Sequence, residues 1–465
     1  MSRNAYDLTQ GGILRKLLLV AVPIMATSFM QMAYNLTDMF WLGRGVSSEA
    51  VAASGSAGMF LWLSMAPMLV GRLGAEIGVS QSLGRKDMAA ARGYAQNAIF
   101  LAMVLGLAYG LLLMLGSEPL IGVYAIQEAS LANSAAAYLA IVGAGIPFQF
   151  VSAAITGIFN GSGNSRLSFW ANATGLALNM ILDPLLILGA DWGIVGAAAG
   201  TVFCQMVVCA LFLIFLKRHK KRPFAAFSLR IKPAWKPTAQ ILRWSVPVGL
   251  ESGLFTVLTM VTTRLVAGFG GEALAVSRVG SQIESLSWLI GGGFGSAVTA
   301  FVGQNFGAGK WSRVHRGFSM AVWSMVVWGA LVTVLMFFGG RQLYAAFLRE
   351  PEIHAMGAVY LRILALSQLA MCLEGISASA FRGVGKTVPP AVISIACNVL
   401  RVPLAYVLAS TELGLNGVWW AISIGGGVRG LLILAWYLLH ARSQPKADVA
   451  PKQYFCVDTP QNGAV

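Results

Sequence analysis

The sequence is internally duplicated: short motifs of the first half return in the second half after an interval of about 220 residues. Val22-Pro23 returns as Val246-Pro247. Because the interval stays nearly constant along the chain, the pattern indicates that one ancestral unit was duplicated whole. Further matching pairs are Gln81 and Gln304, Gly84 and Gly307, Gly161 and Gly383, Gly163 and Gly385, Asn179 and Asn398, and Gly193 and Gly414.

Both copies consist of segments long enough to cross a bilayer. The 465 residues are 57% hydrophobic and 11% charged, with a mean hydropathy of +0.70, and a soluble domain cannot bury that much apolar surface. The even number of spans in each copy orients both copies alike, so we predict an all-α polytopic membrane protein with 12 transmembrane helices in two parallel six-helix repeats, the usual plan of a secondary transporter. The predicted spans are roughly 14–42, 54–80, 93–116, 131–158, 167–189, 193–216, 239–268, 276–303, 317–339, 354–381, 388–409 and 415–440.

The net charge of +15 is distributed unevenly along the chain. Most lysines and arginines lie in the termini and in the loops that follow even-numbered spans, including the basic run at 217–222, whereas the opposite loops are mainly acidic. This distribution follows the positive-inside rule. It predicts a protein of a bacterial-type inner membrane, with both termini on the cytoplasmic side. The positive charge is therefore expected to set the topology, and we expect no nucleic-acid partner.

These patterns divide the chain into four predicted regions. They are an N-terminal lobe at 1–216, a basic cytoplasmic loop between the lobes at 217–238, a C-terminal lobe at 239–440 and a disordered cytoplasmic tail at 441–465. We expect a monomer in contact with membrane lipids, with no cofactor.

The first span contains polar residues that a membrane helix ordinarily avoids. An ionisable side chain inside the bilayer costs at least about 2.5–3.5 kcal/mol on insertion scales, so each one needs an explanation. Gln31, Tyr34 and Asp38 lie on one helical face. Pro23, two turns earlier, removes a backbone hydrogen bond and allows the helix to bend. The cluster suits a proton or cation site, although Asp38 near the outer end also fits a hydrated or structurally paired acid.

The fifth span contains a second polar cluster. Asn179 and Asp183 share one helical face, and Pro184 follows directly, which leaves the carbonyl of Met180 without its helical donor. With Thr201 of the sixth span, these oxygens would form a cage of the kind that Na⁺ prefers, and a desolvated carboxylate would instead accept a proton. The alternative is an Asp-Pro pair that ends a helix at the membrane edge, and the apolar run at 185–188 argues against it.

We therefore predict that the first lobe binds the coupling cation. The predicted coupling residues are Gln31, Tyr34, Asp38, Asn179, Asp183 and Thr201, and Asp38, Asn179 and Asp183 are the predicted ligands if the cation is Na⁺. The second copy lacks these acids, because Thr262 or Thr263 and Val402 occupy the corresponding positions.

Other charged residues fall inside predicted spans. Glu251, Glu284 and Glu374 lie in the second lobe, where Arg401 and Arg429 are potential partners. A second protonation or substrate-cation site at Glu251 and a purely structural pairing both fit this pattern. In the first lobe, Arg72 and Glu76 are spaced four apart on one span and are expected to neutralise each other.

Soft and aromatic side chains are frequent near the acids of the first lobe. Methionine and aromatic groups suit flat hydrophobic cations through sulfur and cation–π contacts, although most of these residues must face lipid or neighbouring helices. The predicted substrate-binding residues are Met30, Met65, Glu251 and Glu284.

Several motifs in this order resemble those of the multidrug and toxic compound extrusion (MATE) transporters. They lie at 7–43, at 81–87 with its repeat at 304–310, and at 160–164, 179–185 and 381–387, so that the resemblance extends over about residues 7–440. The resemblance implies two six-helix lobes around a V-shaped cavity, and export of organic cations or other xenobiotics driven by H⁺ or Na⁺.

The resemblance is closer to the DinF-like branch of this family. Its first-lobe polar cluster has counterparts here in Gln31, Tyr34, Asp38, Asn179, Asp183 and Thr201. The NorM-like branch has acids on helices 7 and 10, and Glu251 and Glu374 do not fall quite at those positions.

Our leading interpretation is a multidrug efflux antiporter that exports organic cations in exchange for H⁺ or Na⁺. The alternative is a flippase for lipids or lipid-linked precursors, which would need arginines for phosphate groups, and Arg401 and Arg429 keep this alternative open. An intramembrane enzyme would need a catalytic cluster at membrane depth, whereas all four histidines lie in loops or at helix ends, so we expect no enzymatic activity.

Overall fold

The computed structural model describes residues 7–45, 48–123, 128–219, 222–224, 227–228, 233–346 and 351–449, without the side chains at 34–45, 48–54, 56, 286, 351 and 352. Over these ranges the chain is almost entirely helical and contains no strand. The helices are α1 (Ile13–Gly45), α2 (Ser48–Leu63), α3 (Met65–Gly84), α4 (Met88–Leu115), α5 (Ser117–Gly122), α6 (Ala129–Gly161), α7 (Ser165–Pro184), α8 (Gly193–Arg218), α9 (Trp235–Ala267), α10 (Gly271–Gly307), α11 (Trp311–Ala345), α12 (Pro351–Gly383), α13 (Val388–Ala409) and α14 (Leu415–Arg442), with a π-helical turn at Leu185–Gly189.

Twelve of the described helical segments are long and apolar enough to cross a membrane, which confirms the predicted number. The second predicted span is divided between α2 and α3 at Ser64. Pro67, in the first turn of α3, has no N–H to donate, and the Ser64 hydroxyl donates to the carbonyl of Leu61 at 2.6 Å. Both features weaken the backbone hydrogen-bond ladder at this point.

The first helix of each repeat begins inside the hydrophobic core of the other repeat. Leu17 and Val20 of α1 pack with second-repeat residues such as Phe294. In the same way, Ile241 and Trp244 of α9 pack into the first-repeat core. Within a bilayer such contacts stabilise the structure through van der Waals packing, because lipid tails are as apolar as the side chains themselves. The two repeats are therefore interlocked at the end that the charge distribution predicts to be cytoplasmic.

Two buried glutamines join the repeats at the same end. The side-chain amide of Gln81, on α3, donates to the carbonyl of Gly383 at 2.9 Å. That of Gln304, on α10, donates to the carbonyl of Gly161 at 3.0 Å. The two hydrogen bonds are related by the sequence duplication, because Gln81 corresponds to Gln304 and Gly161 corresponds to Gly383. The same bond is therefore made twice across one interface.

Two glycines allow α3 and α10 to approach closely enough for these bonds. A Cβ on Gly84 would overlap the carbonyl oxygen of Gln304, and a Cβ on Gly307 would overlap that of Gln81. We call these four residues the reciprocal glutamine–glycine contact. The segment before α1 reinforces it, because the backbone N–H of Leu8 donates to the side-chain oxygen of Gln304 at 3.0 Å.

The polar tail begins with a docked segment at 443–449, within the region that the sequence predicts to be disordered. The backbone N–H and the hydroxyl of Ser312 donate to Asp448 Oδ1 at 3.1 and 2.6 Å, and the N–H of Val449 donates to the carbonyl of Gly309 at 3.0 Å. The tail thus caps the start of α11. Arg85 of the first repeat and Val449 of the tail line one cavity of about 310 Å³.

We predict that Gly84→Ala weakens the closed interface between the repeats. The added methyl group would force α3 and α10 apart, at a cost of about 1–3 kcal/mol for overpacking. Gly93→Ala is the matched control, since its Cβ would meet nothing within 4 Å. Distances between spin labels at the exposed positions Met88 and Arg316 measure the separation. Equal distance distributions in Gly84→Ala, Gly93→Ala and the wild type would contradict the prediction.

We also predict that Asp448→Ala releases the tail. Hydrogen bonds from Ser312 hold the pKa of the Asp448 carboxyl below its ordinary value. The docked carboxylate is therefore ionised at neutral pH, and its contribution is lost only as the pH falls through that lowered pKa. Tryptic cleavage after Lys446 should be faster in the variant at neutral pH, with cleavage after Arg218 as the internal reference. An unchanged ratio of the two cleavage rates would show that Asp448 does not hold the tail.

Candidate functional site

A buried amide–carboxylate pair lies in the first repeat, on α7. The four-residue spacing puts Asn179 and Asp183 on one helical face, where the Asn179 side-chain amide donates to Asp183 Oδ1 at 2.5 Å. The two residues are only 4% and 0% exposed. A carboxylate withdrawn from solvent to this degree, at membrane depth, is a functional-site candidate on physical grounds.

The backbone of the neighbouring helix α8 lies against this pair. A Cβ on Gly200 would lie 3.3 Å from Asp183 Oδ1 and 3.7 Å from the Asn179 side-chain nitrogen. The glycine therefore lets the α8 backbone lie close to the pair. Thr201, the next residue on α8, is half-buried. The structure thus brings Asn179 and Asp183 together and places Thr201 beside the residue that contacts them.

Helix α7 changes its geometry directly after Asp183. Pro184 ends the α-helix and has no N–H for the carbonyl of Met180, and a π-helical turn follows at Leu185–Gly189. In this turn the N–H of Ala190 donates to the carbonyl of Leu185 at 2.8 Å. Single π-helical turns inside membrane helices are frequent at functional sites, because they shift the register of the backbone hydrogen bonds.

The first span is one continuous helix through Pro23 and packs alongside α7. The hydroxyls of Thr27 and Ser28 donate to the carbonyls of Pro23 and Ile24 at 3.0 and 3.2 Å, a type of bond that bends helices. Gln31, one of the predicted coupling residues, is exposed.

The side chains of Tyr34 and Asp38, the other two predicted coupling residues of α1, lie outside the described residues. Of the predicted substrate-binding methionines, Met30 is half-buried on α1, and Met65 is exposed at the start of α3. Their roles stay predictions.

The second repeat contains a buried ion pair at the matching asparagine. Arg429 Nε lies 2.8 Å from Glu374 Oε2, and Arg429 Nη1 donates to Asn398 Oδ1 at 2.9 Å. Arg429 is thus the partner of Glu374, as the sequence allowed. Asn179 and its counterpart Asn398 therefore contact opposite charges: the first donates to a carboxylate, and the second accepts from a guanidinium.

The other predicted acids of the second repeat differ in their surroundings. Glu284 is buried, and Gln368 donates to its carboxylate at 3.3 Å. Glu251 is half-buried on α9. Since Glu284 already accepts a hydrogen bond inside the lobe, it is less available to a substrate than Glu251.

The charge of Arg72 attracts the Glu76 carboxylate, as the sequence predicts, but the two side chains make no ion-pair contact. Glu76, 4% exposed, instead accepts a hydrogen bond of 2.6 Å from Ser296 of α10, and the Asn160 side-chain amide donates to Ser296 at 3.3 Å. The carboxylate therefore bridges the two repeats. Its spacing from Arg72 indicated a local partner, whereas packing of α3 on α10 gave it a distant one. Only knowledge of which helices touch would have found Ser296.

Comparison with known proteins assigns the chain to a family. The family model MatE matches residues 23–185 and again residues 247–407. These two matches cover most of the chain and follow the internal duplication. The chain belongs to the MatE family, which confirms the resemblance seen in the sequence.

Relatives and solved structures agree with this assignment. The probable multidrug resistance protein NorM of Thermotoga maritima is 26% identical over 415 residues, 88% of each chain. The probable multidrug resistance protein YpnP of Bacillus subtilis is 28% identical over 417 residues, 89% of this chain and 92% of that protein. A crystal structure of MATE in the bent conformation superposes with a TM-score of 0.89 at 21% identity, covering 95% of this chain and 98% of that one.

We predict that Ser296→Ala destabilises the contact between the repeats by about 1–3 kcal/mol, because it removes a hydrogen-bond donor from a buried carboxylate. Ser281→Ala, at an exposed position on the same helix, is the control. Thermal unfolding of the purified protein measures the effect. In the Glu76→Gln background the effect of Ser296→Ala should shrink. Additive effects of the two substitutions would show that Ser296 does not act through Glu76.

Proposed function

We propose that the protein exports organic cations and other xenobiotics across the cytoplasmic membrane in exchange for H⁺ or Na⁺, with the coupling cation bound in the first lobe. The observation that carries the proposal is the Asn179–Asp183 pair, a fully buried carboxylate beside a break in a membrane helix. The multidrug resistance proteins among its relatives support the substrate class.

The proposed mechanism follows from the chemistry of this pair. In the ionised form Asp183 accepts a hydrogen bond from Asn179 and attracts a cationic substrate. An H⁺ or Na⁺ that enters from the outer side would neutralise the carboxylate and compete with the Asn179 amide for Oδ1. The substrate then loses its counter-charge and leaves, so that ion binding and substrate binding exclude each other.

The closed reciprocal glutamine–glycine contact supports the direction of access. It joins the repeats at the end that the positive-inside rule predicts to be cytoplasmic. In this state the substrate site would communicate with the outer side, and export requires that the contact break so that the site reloads from the cytoplasm or inner leaflet. We propose that both termini are cytoplasmic, that the DinF-like pattern of coupling applies, and that the monomer is the functional unit.

The flippase alternative is weaker in the structure. A cavity for phosphate groups needs several free arginines. Arg429 is held by Glu374 and Asn398, so that of the two candidate arginines only Arg401 has no carboxylate partner among the described residues. Transport, rather than catalysis, is the function that this arrangement supports best.

The proposal predicts that Asp183→Asn strongly slows ion-coupled efflux. Ethidium efflux is measured from proteoliposomes under a pH gradient and a Na⁺ gradient, imposed separately, and the gradient that drives wild-type efflux identifies the coupling ion. Because coupling energies are typically 1–3 kcal/mol, we expect the gradient-driven rate to fall about 5–150-fold. Asp191→Asn is the control, since Asp191 is exposed in the loop after the fifth span.

Two results would contradict this proposal. Full coupled efflux in Asp183→Asn, at equal protein content, would show that this carboxylate does not couple transport. A wild-type protein that moves ethidium under neither gradient would refute the antiport itself, and lipid scrambling would then be measured in the same vesicles.

A further inference from the structure

Arg401 is an arginine deep inside a membrane-spanning helix. It lies in α13 (Val388–Ala409), 13 residues after the first residue and 8 before the last. At about 1.5 Å per residue it is therefore roughly 12 Å from the nearer end. Its side chain is only 8% exposed. The positive-inside rule explains basic residues in loops, but it does not explain this one.

The acids of the described chain do not neutralise Arg401. No described carboxylate lies within ion-pair distance of it. Two buried acids of this lobe have other partners: Glu374 is bonded to Arg429, and Glu284 to Gln368. Among the described residues, the one side-chain hydrogen bond that Arg401 donates is a long one, to the hydroxyl of Thr259 at 3.4 Å. Its Nε is buried without a hydrogen-bond partner. A guanidinium in this setting costs several kcal/mol unless a counter-charge arrives.

An aromatic residue and a glycine lie next to the Arg401 side chain. The guanidinium carbon lies 5.5 Å from the centre of the Phe255 ring, and a Cβ on Gly425 would lie 3.5 Å from the aliphatic part of the Arg401 side chain. Phe255 in turn lies 6.3 Å from Trp288, which is 44% exposed. The aromatic ring of a ligand could therefore pack against Phe255 and Trp288, with the positive charge of Arg401 at the edge of this aromatic surface.

Few residues of α9, the helix that contains Phe255 and Thr259, are buried within the protein. In the most apolar 18-residue window of α9 only 11% of the residues are buried, against 65% in α10. A ligand that approaches along α9 would therefore displace few packed side chains before it meets Trp288.

We propose that Arg401 binds the carboxylate of aromatic organic anions, whose ring lies against Phe255 and Trp288. This site in the second lobe would extend the proposed substrates from cations to anions and zwitterions, and in that sense it rests on the proposed function. A planar guanidinium matches a carboxylate through two parallel hydrogen bonds. One unpaired arginine suits one carboxylate charge better than a phosphate group, which carries more charge and would need a second free cation.

The test is equilibrium binding to the purified full-length protein by isothermal titration calorimetry. The probes are 2-naphthoate, the neutral analogue 2-naphthalenemethanol, and dihexanoyl phosphatidate as a lipid phosphate. We expect naphthoate to bind the wild type at least about tenfold more tightly than the alcohol, because a hydrogen bond to a charged group contributes about 1.5–3 kcal/mol. Arg401→Gln should remove this preference while leaving affinity for the alcohol unchanged.

Arg264→Gln is the matched control, since Arg264 is an exposed arginine in the last turn of α9, and it should bind naphthoate like the wild type. Arg401→Lys, which keeps the charge without the planar fork, should retain part of the preference even if Arg401→Gln fails to fold. Equal affinity for naphthoate and the alcohol in the wild type, an unchanged preference in Arg401→Gln, or tighter binding of phosphatidate than of naphthoate would each overturn the proposal.

The proposal and the antiport function can fail separately. Ethidium efflux in Arg401→Gln should stay at the wild-type rate, because the cation pathway uses Asp183. Wild-type efflux of ethidium without carboxylate binding would refute the second-lobe site alone. Carboxylate binding without gradient-driven efflux would refute the antiport alone.

Discussion

Helices α3 and α10 come together with no side chain between them at two points, where the backbone of each helix occupies the space that a Cβ of the other would fill. Other contacts depend on this short distance between α3 and α10, because only at this distance do Gln81 and Gln304 reach the carbonyls of Gly383 and Gly161. The bridge from Ser296 to Glu76, one to two turns further along the same helices, depends on it as well. Helices α1 and α9 cross into the opposite cores on the same side. The repeats thus share one interface, in which the two glutamine hydrogen bonds are chemically the same.

The polar sites away from this interface are not the same. The duplicated asparagines, Asn179 and Asn398, occupy matching positions, but one donates to Asp183 and the other accepts from Arg429. An asparagine suits both partners because its amide carries a donor and an acceptor. The matching asparagines therefore contact a carboxylate in one lobe and an arginine, itself paired with Glu374, in the other. Under the proposed function, the first lobe binds the coupling ion and the second lobe is available for a different ligand.

The sequence predicted the number of spans, their pairing by duplication and the family, because hydropathy and repeated motifs are properties of single helices. It also predicted that Asn179 and Asp183 share a face, since four residues make about one helical turn. The expected neutralisation of Glu76 by Arg72 is seen only as an attraction without an ion-pair contact, because spacing indicates no more than proximity along one helix. The partner of Glu76 is 220 residues away, and Arg401 has no carboxylate partner among the described side chains. Both depend on how helices pack, which no periodicity within one helix encodes. The Tyr34 and Asp38 side chains stay predictions.

The docked tail has a consequence for how the protein can be observed. Asp448 and Val449 hold the tail to the start of α11 in the second repeat, while Arg85 of the first repeat lines the same cavity as Val449. When the repeats separate at this end, one wall of that cavity moves away and the other stays with the tail. A solvent-sensitive fluorophore on Gln444 would therefore change its emission with each opening. The chain carries an attachment point for an optical reporter outside both proposed binding sites.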